Sequence, residues 1–295
     1  MKELNQLKTN VPQLLKWIGN KHRFAKEIVS YMPDDINTYY EPFLGSGAVL
    51  AELSSMNQNS LIKKYTKAVG SDILPFLIEI FNYVKDEPEI LIDHYRKNIS
   101  TYNEDRQAKY LEIRDRFNKD FNALDFALLT RTCYSGIIRF RKSDGYMSTP
   151  IGPHNPISPD TFESRVLAWN ELLKEDVSFI NRDFREVMDM AGEGDLVYCD
   201  PPYTHSQKIL YGAQAFDIED LWTKIRECKE RGAKVMLSIN GTKRSGREDI
   251  GIEAPEGLFE RAVFVNCGPS MINRLQRSGE IMEDELVHDS LFFTW

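Results

Sequence analysis

Residues 194–206, GDLVYCDPPYTHS, hold the side chains with the clearest chemical potential in this sequence. The apolar run at 196–199, bounded by turn formers, predicts a short buried strand. Two prolines then end the strand, because a proline nitrogen has no hydrogen to donate to a sheet. The acid Asp200 and the aromatic Tyr203 are therefore held stiffly at a strand end. Alone, such a stretch is most often a proline-rich turn, so its meaning depends on the other motifs.

A glycine-rich turn and a second strand-end acid lie earlier in the chain. EPFLGSGAV places Gly45 and Gly47 between a predicted strand and a predicted helix. Glycines there let backbone amides approach a ligand closely, and the helix N-terminus favours anionic groups. Asp72 ends the next predicted strand, where Rossmann-type folds place an acid on a ribose hydroxyl pair. The glycines alone would be a structural turn, and Asp72 alone a helix N-cap; together they favour a cofactor site.

Positive charge is concentrated in one stretch of an acidic chain. The net charge is −8, which by itself argues against a nucleic-acid partner. Residues 127–142, ALLTRTCYSGIIRFRK, nevertheless carry Arg131, Arg139, Arg141 and Lys142 and no acid. Because binding depends on where charge lies, this stretch is either a solvated basic face or a contact for nucleic acid.

The elements around these motifs alternate between strand and helix. Residues 38–55 and 67–85 each predict strand, turn and helix, which is typical of a parallel α/β sheet. Residues 86–126 are polar and helical in period, which predicts a helical insertion. A β-hairpin is predicted over 137–149, because Ser143-Asp144-Gly145 forms a turn signal between two β-prone arms.

The same α/β pattern returns towards the C-terminus. Further strand ends are predicted within residues 177–188 and 194–203. A helix and a strand are predicted to follow, then a flexible loop at 240–257 and more strands in the last 30 residues. At the other end of the chain, residues 11–33 predict a helix that is interrupted at Gly19-Asn20 and stopped by Pro33.

Length and composition narrow the class of protein. With 295 residues, 42% of them hydrophobic and 28% charged, the chain is of ordinary globular composition and holds one large or two modest domains. No run of about 18 apolar residues predicts a membrane span, and the first ten residues lack the apolar core of a signal peptide. The dispersed cysteines and histidines predict no disulfide framework and no metal site, and they favour a reducing cytoplasm.

Taken in order, the motifs resemble those of the Dam-like (alpha-class) adenine-N6 DNA methyltransferases, which use S-adenosyl-L-methionine. The matching stretches are KWIGNK (16–21) for the first motif, EPFLGSGAV (41–49) for the cofactor loop, SDILP (71–75) for the ribose acid, RTCYSGIIRFRKSDGYMSTPIG (131–152) for the target-recognition hairpin, RDF (182–184) for an acid and aromatic near the cofactor's adenine, and DPPY (200–203) for the catalytic motif.

This resemblance implies a fold and a division of the chain. The expected fold is α/β, a mainly parallel, Rossmann-like methyltransferase sheet with an inserted helical target-recognition domain that bears the hairpin. Residues 1–85 and 166–295 are expected to form the discontinuous catalytic, cofactor-binding domain. Residues 86–165 are expected to form the DNA-binding insertion.

The resemblance also assigns residues to S-adenosylmethionine. Lys21 is expected to neutralise the carboxylate of the cofactor, and Glu41 is expected to bind its ammonium group. Trp17 is expected to contact the sulfonium with its aromatic ring. Asp200 borders the cofactor as well as the target base. The predicted cofactor-binding residues are Trp17, Lys21, Glu41, Phe43, Gly45, Gly47, Asp72, Asp183, Phe184 and Asp200.

The stretch around Asp200 thereby acquires a chemical role. The exocyclic amine of adenine is a poor nucleophile, because its lone pair is delocalised into the ring. The Asp200 carboxylate and the Pro201 carbonyl can accept the two amine hydrogens and stabilise the positive charge that develops on nitrogen. Pro202 stiffens the corner, and Tyr203 offers a face on which a flipped-out base can stack. No metal is needed for this direct transfer.

The remaining assignments concern DNA. The expected DNA-binding residues are Lys16, Arg131, Tyr134, Ser135, Arg139, Arg141 and Lys142, and Arg139 stands where the family carries a base-reading arginine. Asn20 replaces the second glycine of the usual Gly-Gly-Lys, which the turn can tolerate. Tyr134-Ser135 replaces a frequent Phe-Asn, which leaves the recognised sequence open.

We therefore expect a site-specific methyltransferase acting on adenine in double-stranded DNA. The alternatives are methylation of another exocyclic amine, either N4 of cytosine or adenine in RNA, and a DNA-binding relic without catalysis. Such a relic should have lost Asp200, Tyr203 or the glycine turn, and all are present. The protein is expected to be a cytoplasmic monomer or weak dimer without membrane contact. A cognate restriction endonuclease, acting separately, is a possible partner.

Overall fold

The computed structural model describes residues 11–174, 176–202, 216–240, 254–269 and 286–295. Its strands form a single seven-stranded sheet. They are β1 (Ile36–Glu41), β2 (Tyr65–Asp72), β3 (Val177–Asn181), β4 (Leu196–Cys199), β5 (Lys234–Asn240), β6 (Arg261–Pro269) and β7 (Leu286–Phe293).

The order of strands across the sheet is β3-β2-β1-β4-β5-β7-β6. The first five strands of the chain pair in parallel, and only β7 runs antiparallel to its neighbours β5 and β6. This architecture confirms the predicted α/β fold with a mainly parallel sheet. The strand order reverses at β1 and β4, and the carboxyl ends of strands beside such a reversal form the usual ligand crevice.

The helices lie on both faces of this sheet. They are α1 (Ala25–Ser30), α2 (Ala48–Asn59), α3 (Pro75–Asp86), α4 (Pro88–Ser100), α5 (Arg106–Asp120), α6 (Ala123–Thr132), α7 (Pro159–Leu172), α8 (Phe184–Asp189) and α9 (Ile218–Glu230). Proline opens α3, α4 and α7, where its missing N–H would have had no partner in the helix.

Two apolar clusters hold the layers together. One face of the sheet packs against α8 and α9, with Val187, Leu221 and Ile225 fully buried. The other face packs against α2, α3 and α7 and continues without a break into the helices of the insertion. The strand β4 lies between the two clusters and buries all four of its side chains, which explains its purely apolar sequence.

The insertion is anchored to α3 by aromatic rings. Phe76 of α3 lies 4.5 Å from Phe126 of α6, 5.1 Å from Phe117 of α5 and 5.8 Å from Phe140 of the hairpin, between ring centroids. Edge-to-face and tilted pairs of this kind add to the stabilisation from burial alone. The insertion is therefore packed against α3 through these rings, while its boundary at 86–165 stays a prediction.

The predicted hairpin is confirmed. Phe140 and Met147 form an antiparallel bridge, and the Arg141 amide donates to the Tyr146 carbonyl at 2.9 Å across the turn. Ile138 and Phe140 are buried, whereas Arg139 and Arg141 are exposed, so alternate side chains face opposite ways as the strand period requires.

The predicted N-terminal helix is largely wrong. Only Ala25–Ser30 is helical, and residues 11–24 form an irregular segment. The physical reason is that carbonyl groups at 12–14 accept hydrogen bonds from distant side chains rather than from amides one turn later. The predicted loop at 240–257 lies mostly outside the described residues. No helix in the described part of the chain is long and apolar enough to cross a membrane.

Candidate active site

Three acids meet at the carboxyl edge of the sheet. Glu41 ends β1, Asp72 ends β2, and Asp200 directly follows β4. These strands are neighbours and run in parallel, so their carboxyl ends lie at one edge. The distant motifs of the sequence are thus brought to the edge where α/β proteins bind ligands.

The glycine turn after β1 has the conformation that only glycine adopts readily. Gly45 and Gly47 have φ angles of +48° and +66°. A Cβ at Gly45 would lie 3.1 Å from the Trp17 ring nitrogen, whereas one at Gly47 would lie 3.2 Å from the Phe81 ring. Gly45 therefore keeps the turn close to the Trp17 wall, and Gly47 serves the packing of α2 on α3.

A pocket opens between this turn and the end of β4. Most of the predicted cofactor-binding residues line it, and Gly47 does not because it faces Phe81. The lining residues predicted from the sequence are Trp17, Lys21, Glu41, Phe43, Gly45, Asp72, Asp183, Phe184, Asp200, Pro201 and Pro202. Tyr203, the last residue of the DPPY motif, lies outside the described residues.

Asp72 joins the strand end to the glycine turn. Its two carboxylate oxygens accept from the backbone amides of Gly45 (3.0 Å) and Leu74 (3.1 Å). Burial raises the pKa of Asp72 to about 6, and the amide hydrogen bonds oppose that rise. Asp72 thus fixes the turn and the start of α3 while its side chain remains at the pocket.

Glu41 is a buried acid at the floor of the same pocket. The Tyr39 hydroxyl donates to its Oε2 at 2.7 Å. Burial raises the pKa of Glu41 to about 8, the Tyr39 hydrogen bond opposes this rise, and the nearby charge of Asp200 adds to it. A positively charged ligand group beside Glu41 would favour its ionised form.

Lys21 occupies a position that the sequence motif did not reveal. Its Nζ lies 2.9 Å from Oδ1 of Asp200, and both side chains are largely buried. The resemblance assigned Lys21 to the carboxylate of the cofactor, whereas the structure places its ammonium on the carboxylate of the DPPY motif. An ion pair shielded from water is stronger than an exposed one, so Lys21 orients the Asp200 carboxylate.

Phe43, Phe184 and Phe216 form an aromatic wall on one side of the pocket. The rings of Phe43 and Phe184 stack at 5.1 Å, and Phe216 lies 5.8 Å from Phe43 and 5.6 Å from Phe184. Ile73, which follows the strand-end acid Asp72, lines the pocket with half of its surface exposed. Such a wall can stack against a flat aromatic ring.

The pocket residues that the sequence interpretation missed include Ile73, Tyr198 and Phe216. An apolar residue placed directly after a strand-end acid is a signal that could have identified Ile73. Phe216 carries no local signal, because only the fold brings it to Phe43. Tyr198 lies two positions before Asp200, so strand alternation could have placed its buried side chain on the same face.

Asp183 has a structural task beside the pocket. Its side chain accepts from the Arg185 amide at 2.9 Å and caps α8, and the Arg185 guanidinium pairs with it at the same distance. The cap explains the position of Phe184 at the start of the helix. Asp183 lines the pocket through a carboxylate that is already partly neutralised.

The predicted DNA contacts do not form a uniform group. Tyr134, Ser135, Arg139 and Lys142 are exposed, and Lys16 is half-buried beside them. Arg141 is exposed but tethered, because it pairs with Asp144 at 2.7 Å and stacks on Tyr146 at 4.3 Å. The hairpin therefore presents one untethered arginine, Arg139, whose side chain has no hydrogen bond or ion pair to the described residues.

The prediction for Arg131 is wrong. Its side chain is only 3% exposed, and its guanidinium donates to the backbone carbonyls of Gln13 and Leu14. Such a group cannot reach a phosphate from this position. The basic stretch at 127–142 therefore mixes one structural arginine with the exposed charges of the hairpin.

Comparison with known proteins places the site in a family. The sequence pattern of the D12 class N6 adenine-specific DNA methyltransferases matches residues 17–252, which include the pocket, the insertion and the DPPY motif. The chain belongs to this family. Its reaction is the site-specific methylation of adenine N6 in DNA, as the Dam-like resemblance implied.

Known relatives are similar to this chain over most of its length. The chain is 29% identical to a DNA adenine methylase of Vibrio cholerae over 245 residues, covering 79% of this chain and 83% of the relative. It is 31% identical to the type II methyltransferase M.MjaIII of Methanocaldococcus jannaschii over 253 residues, covering 77% and 84%. It is also 28% identical to a DNA N-6-adenine-methyltransferase of Escherichia phage P1 over 268 residues, covering 86% of this chain and 33% of the relative.

Family membership decides between the alternatives left by the sequence. It favours the adenine amine over the cytosine amine, DNA over RNA, and an enzyme over a non-catalytic relic. In the described part of the chain, no group of three or more His, Cys, Asp or Glu side chains is arranged to hold a metal ion.

Proposed function

We propose that the pocket binds S-adenosyl-L-methionine and that the methyl group passes to the N6 amine of an adenine rotated out of duplex DNA. The observation that carries this proposal is the meeting of the ribose-type acid Asp72 and the catalytic-type acid Asp200 at one pocket. A methyl donor and its acceptor must lie within reach of each other, and positioning is the main source of rate in a direct transfer.

The residues of the pocket fit this cofactor from one end to the other. Asp72 offers a carboxylate for ribose hydroxyl groups, and the wall of Phe43, Phe184 and Phe216 suits the adenine ring. Glu41 can hold the ammonium group in a site shielded from water. Gly45, whose missing Cβ leaves room beside Trp17, lets the methionine part approach the turn.

When bound, S-adenosylmethionine supplies a methyl group carried by a sulfonium. Asp200 and the Pro201 carbonyl accept hydrogen bonds from the two N–H groups of the target amine and stabilise the positive charge that grows on nitrogen. As the new N–C bond forms, one of these hydrogens leaves the nitrogen as a proton, so the methylated amine is neutral. Lys21 keeps the Asp200 carboxylate in place before the base arrives. Trp17 offers an aromatic face to the cationic centre. Tyr203 remains the predicted stacking surface for the extruded base.

The hairpin is the proposed reader of duplex DNA. Arg139 lies on the exposed face of the hairpin and is proposed to contact a guanine, which is the commonest base-specific contact of arginine. Lys142 and Lys16 are proposed to contact phosphate groups. Arg141 joins them only if Asp144 is displaced.

The cellular setting is proposed on more general grounds. Cys133, Cys199 and Cys228 are buried free thiols, which suits a reducing cytoplasm. A monomer or weak dimer, and a separate endonuclease that recognises the same DNA sequence, remain predictions.

The decisive test is Asp200→Ala. Loss of one preorganised acceptor should slow the transfer of labelled methyl groups to DNA by about 10²-fold or more. The control is Asp195→Ala, which removes the same side chain from the opposite end of β4, where it accepts from the Thr38 and Gly192 amides. Near-normal labelling by Asp200→Ala, with DNA-free binding of the cofactor retained, would contradict the proposed mechanism.

A further inference from the structure

The irregular segment at residues 11–21 is held by side chains of α6 and α7. Three side chains, named here the carbonyl clamp, donate to consecutive backbone carbonyls of this segment. The clamp consists of Trp169 Nε1 to Pro12 O (2.7 Å), Arg165 Nη1 to Gln13 O (2.6 Å), and Arg131 Nη2 to Gln13 O (2.5 Å) and to Leu14 O.

Burial of Arg131 in the clamp costs free energy, because its charged guanidinium loses contact with water. It is buried, and no carboxylate of the described residues forms an ion pair with it. Burial and the neighbouring charge of Arg165 lower the pKa of Arg131 to about 10. A buried guanidinium is costly unless it is hydrogen-bonded. The carbonyls at 13–14 accept from Nη2 and stabilise the charge, whereas Nε is buried without a hydrogen-bond partner among the described residues. The segment and Arg131 therefore hold each other in place.

The clamped segment continues directly into the cofactor pocket. Trp17 lies three residues beyond the clamp, against the Gly45 turn on one side and the Phe126 ring of α6 on the other, at 6.3 Å. Four residues later, Lys21 pairs with Asp200. A shift of the clamped carbonyls would thus move both a pocket wall and the partner of the catalytic acid.

The same segment also bears the base of the recognition hairpin. The turn at Tyr134–Gly136 follows α6, which ends one residue after Arg131. A Cβ at Gly136 would lie 2.9 Å from Lys16 Cβ and 3.1 Å from the Lys16 carbonyl oxygen. No side chain fits between the turn and the segment, so the two backbones are in direct contact.

We propose that Arg131 and Gly136 are positioning residues that couple the recognition turn to the cofactor pocket through residues 11–21. The proposal rests on the proposed function, because its readout is the binding of S-adenosylmethionine. Displacement of the turn weakens cofactor binding even without DNA. By thermodynamic linkage, the cofactor then changes the affinity for DNA at the turn by the same factor.

Gly136 of this turn and Gly145 of the hairpin provide a matched test. Gly136 and Gly145 have nearly equal φ angles of +67° and +68°, but a Cβ at Gly145 meets nothing within 4 Å. Alanine at either position therefore brings the same backbone strain, and only Gly136→Ala pushes on Lys16. The dissociation constant of S-adenosylmethionine, measured by calorimetry on the whole chain without DNA, should rise about tenfold for Gly136→Ala and stay at the wild-type value for Gly145→Ala.

A second pair of variants separates coupling from loss of stability. Arg131→Met removes one of the three side chains of the clamp, whereas Arg116→Met breaks a partly buried bond to Asp125 in the same insertion without touching residues 11–21. Only Arg131→Met should weaken cofactor binding, and Arg131→Lys should restore part of it. The salt dependence of DNA binding should be the same for Arg131→Met and wild type, because Arg131 contacts no phosphate.

Three results would overturn the proposal. Equal cofactor affinity for Gly136→Ala and Gly145→Ala would show that the contact between Gly136 and Lys16 does not couple the turn to the pocket. A salt slope lowered by about one for Arg131→Met, with unchanged cofactor affinity, would make Arg131 a phosphate contact instead. Absence of cofactor binding in the wild-type chain would overturn the proposed function as well, which distinguishes the two failures.

Discussion

The pocket and the hairpin each contain an ion pair of almost the same length, in very different surroundings. Lys21 and Asp200 lie 2.9 Å apart with side chains that are 8% and 19% exposed. Arg141 and Asp144 lie 2.7 Å apart with side chains that are 51% and 49% exposed. Distance alone would rank the two pairs as equals, whereas burial separates them.

The difference follows from the solvent. Water and salt screen the pair at the hairpin, so Arg141 can exchange Asp144 for a DNA phosphate at little cost. In the pocket, the ammonium and carboxylate groups are shielded from water. Removal of either group should therefore lower the stability of the fold. The pocket is thus preorganised for one chemical task, and the hairpin is adjustable for binding. Substitutions in the two regions should differ in size and kind.

The largest expected effect is at Lys21. Lys21→Gln removes the ammonium group from the Asp200 carboxylate in a shielded site, which should lower the free energy of unfolding by about 3 to 5 kcal/mol. Arg141→Gln breaks the exposed pair and should lower it by only about 0 to 1 kcal/mol. Urea denaturation without cofactor measures both values. Equal losses would show that burial does not distinguish the two regions.

Kinetics of the same Lys21 variant, under conditions in which it is folded, separate its two possible tasks. If Lys21 orients Asp200, kcat for methyl transfer should fall more than the affinity for S-adenosylmethionine. If Lys21 binds the carboxylate of the cofactor, as the sequence motif implied, the affinity should fall and kcat should be nearly retained. The structure favours the first outcome, because the ammonium group is already on Asp200.

A smaller effect is expected at Asp72. Asp72→Asn removes the charged acceptor for the ribose hydroxyl groups and should weaken cofactor binding by about 1.5 to 3 kcal/mol. The pKa of Asp72 is raised to about 6, and hydroxyl donors favour its ionised form. Wild-type affinity should therefore be full above pH 6 and decline as the pH falls through that value, whereas the variant should lack this part of the pH dependence.

Calorimetric titration at several pH values is the measurement for Asp72. An unchanged affinity in Asp72→Asn would leave the residue with its structural task alone, which is to bind the amides of Gly45 and Leu74.

The smallest and most selective effects are expected on the hairpin. Arg139→Ala should cost about 1 to 3 kcal/mol and relax the preference at one base pair. Lys142→Ala should weaken binding to all sequences alike and reduce the salt dependence. Methylation rates on duplexes that each differ at one base pair compare both variants with wild type. If Arg139→Ala slows every duplex by the same factor, Arg139 is a phosphate contact and the assignment is wrong.

The sequence by itself determined the α/β pattern, the hairpin and the motifs of the site. Alternation of apolar runs, glycine turns and strand-end acids depends on local chain properties, so β1, β2 and β4 and the acids Glu41, Asp72 and Asp200 were predictable. Because parallel strands share one carboxyl edge, the convergence of these acids followed from the fold class. The family resemblance added what each motif was for.

Only the tertiary structure decided which charges are available. Arg131 and Arg139 stand eight residues apart in one basic stretch, yet one is buried on backbone carbonyls and the other is exposed. The partner of Lys21, the place of Phe216 in the aromatic wall, and the loss of the predicted helix at residues 11–18 likewise depend on segments far away in the sequence. The physical reason is that burial and hydrogen-bond partners are properties of the packed chain, and no local pattern of residue types contains them.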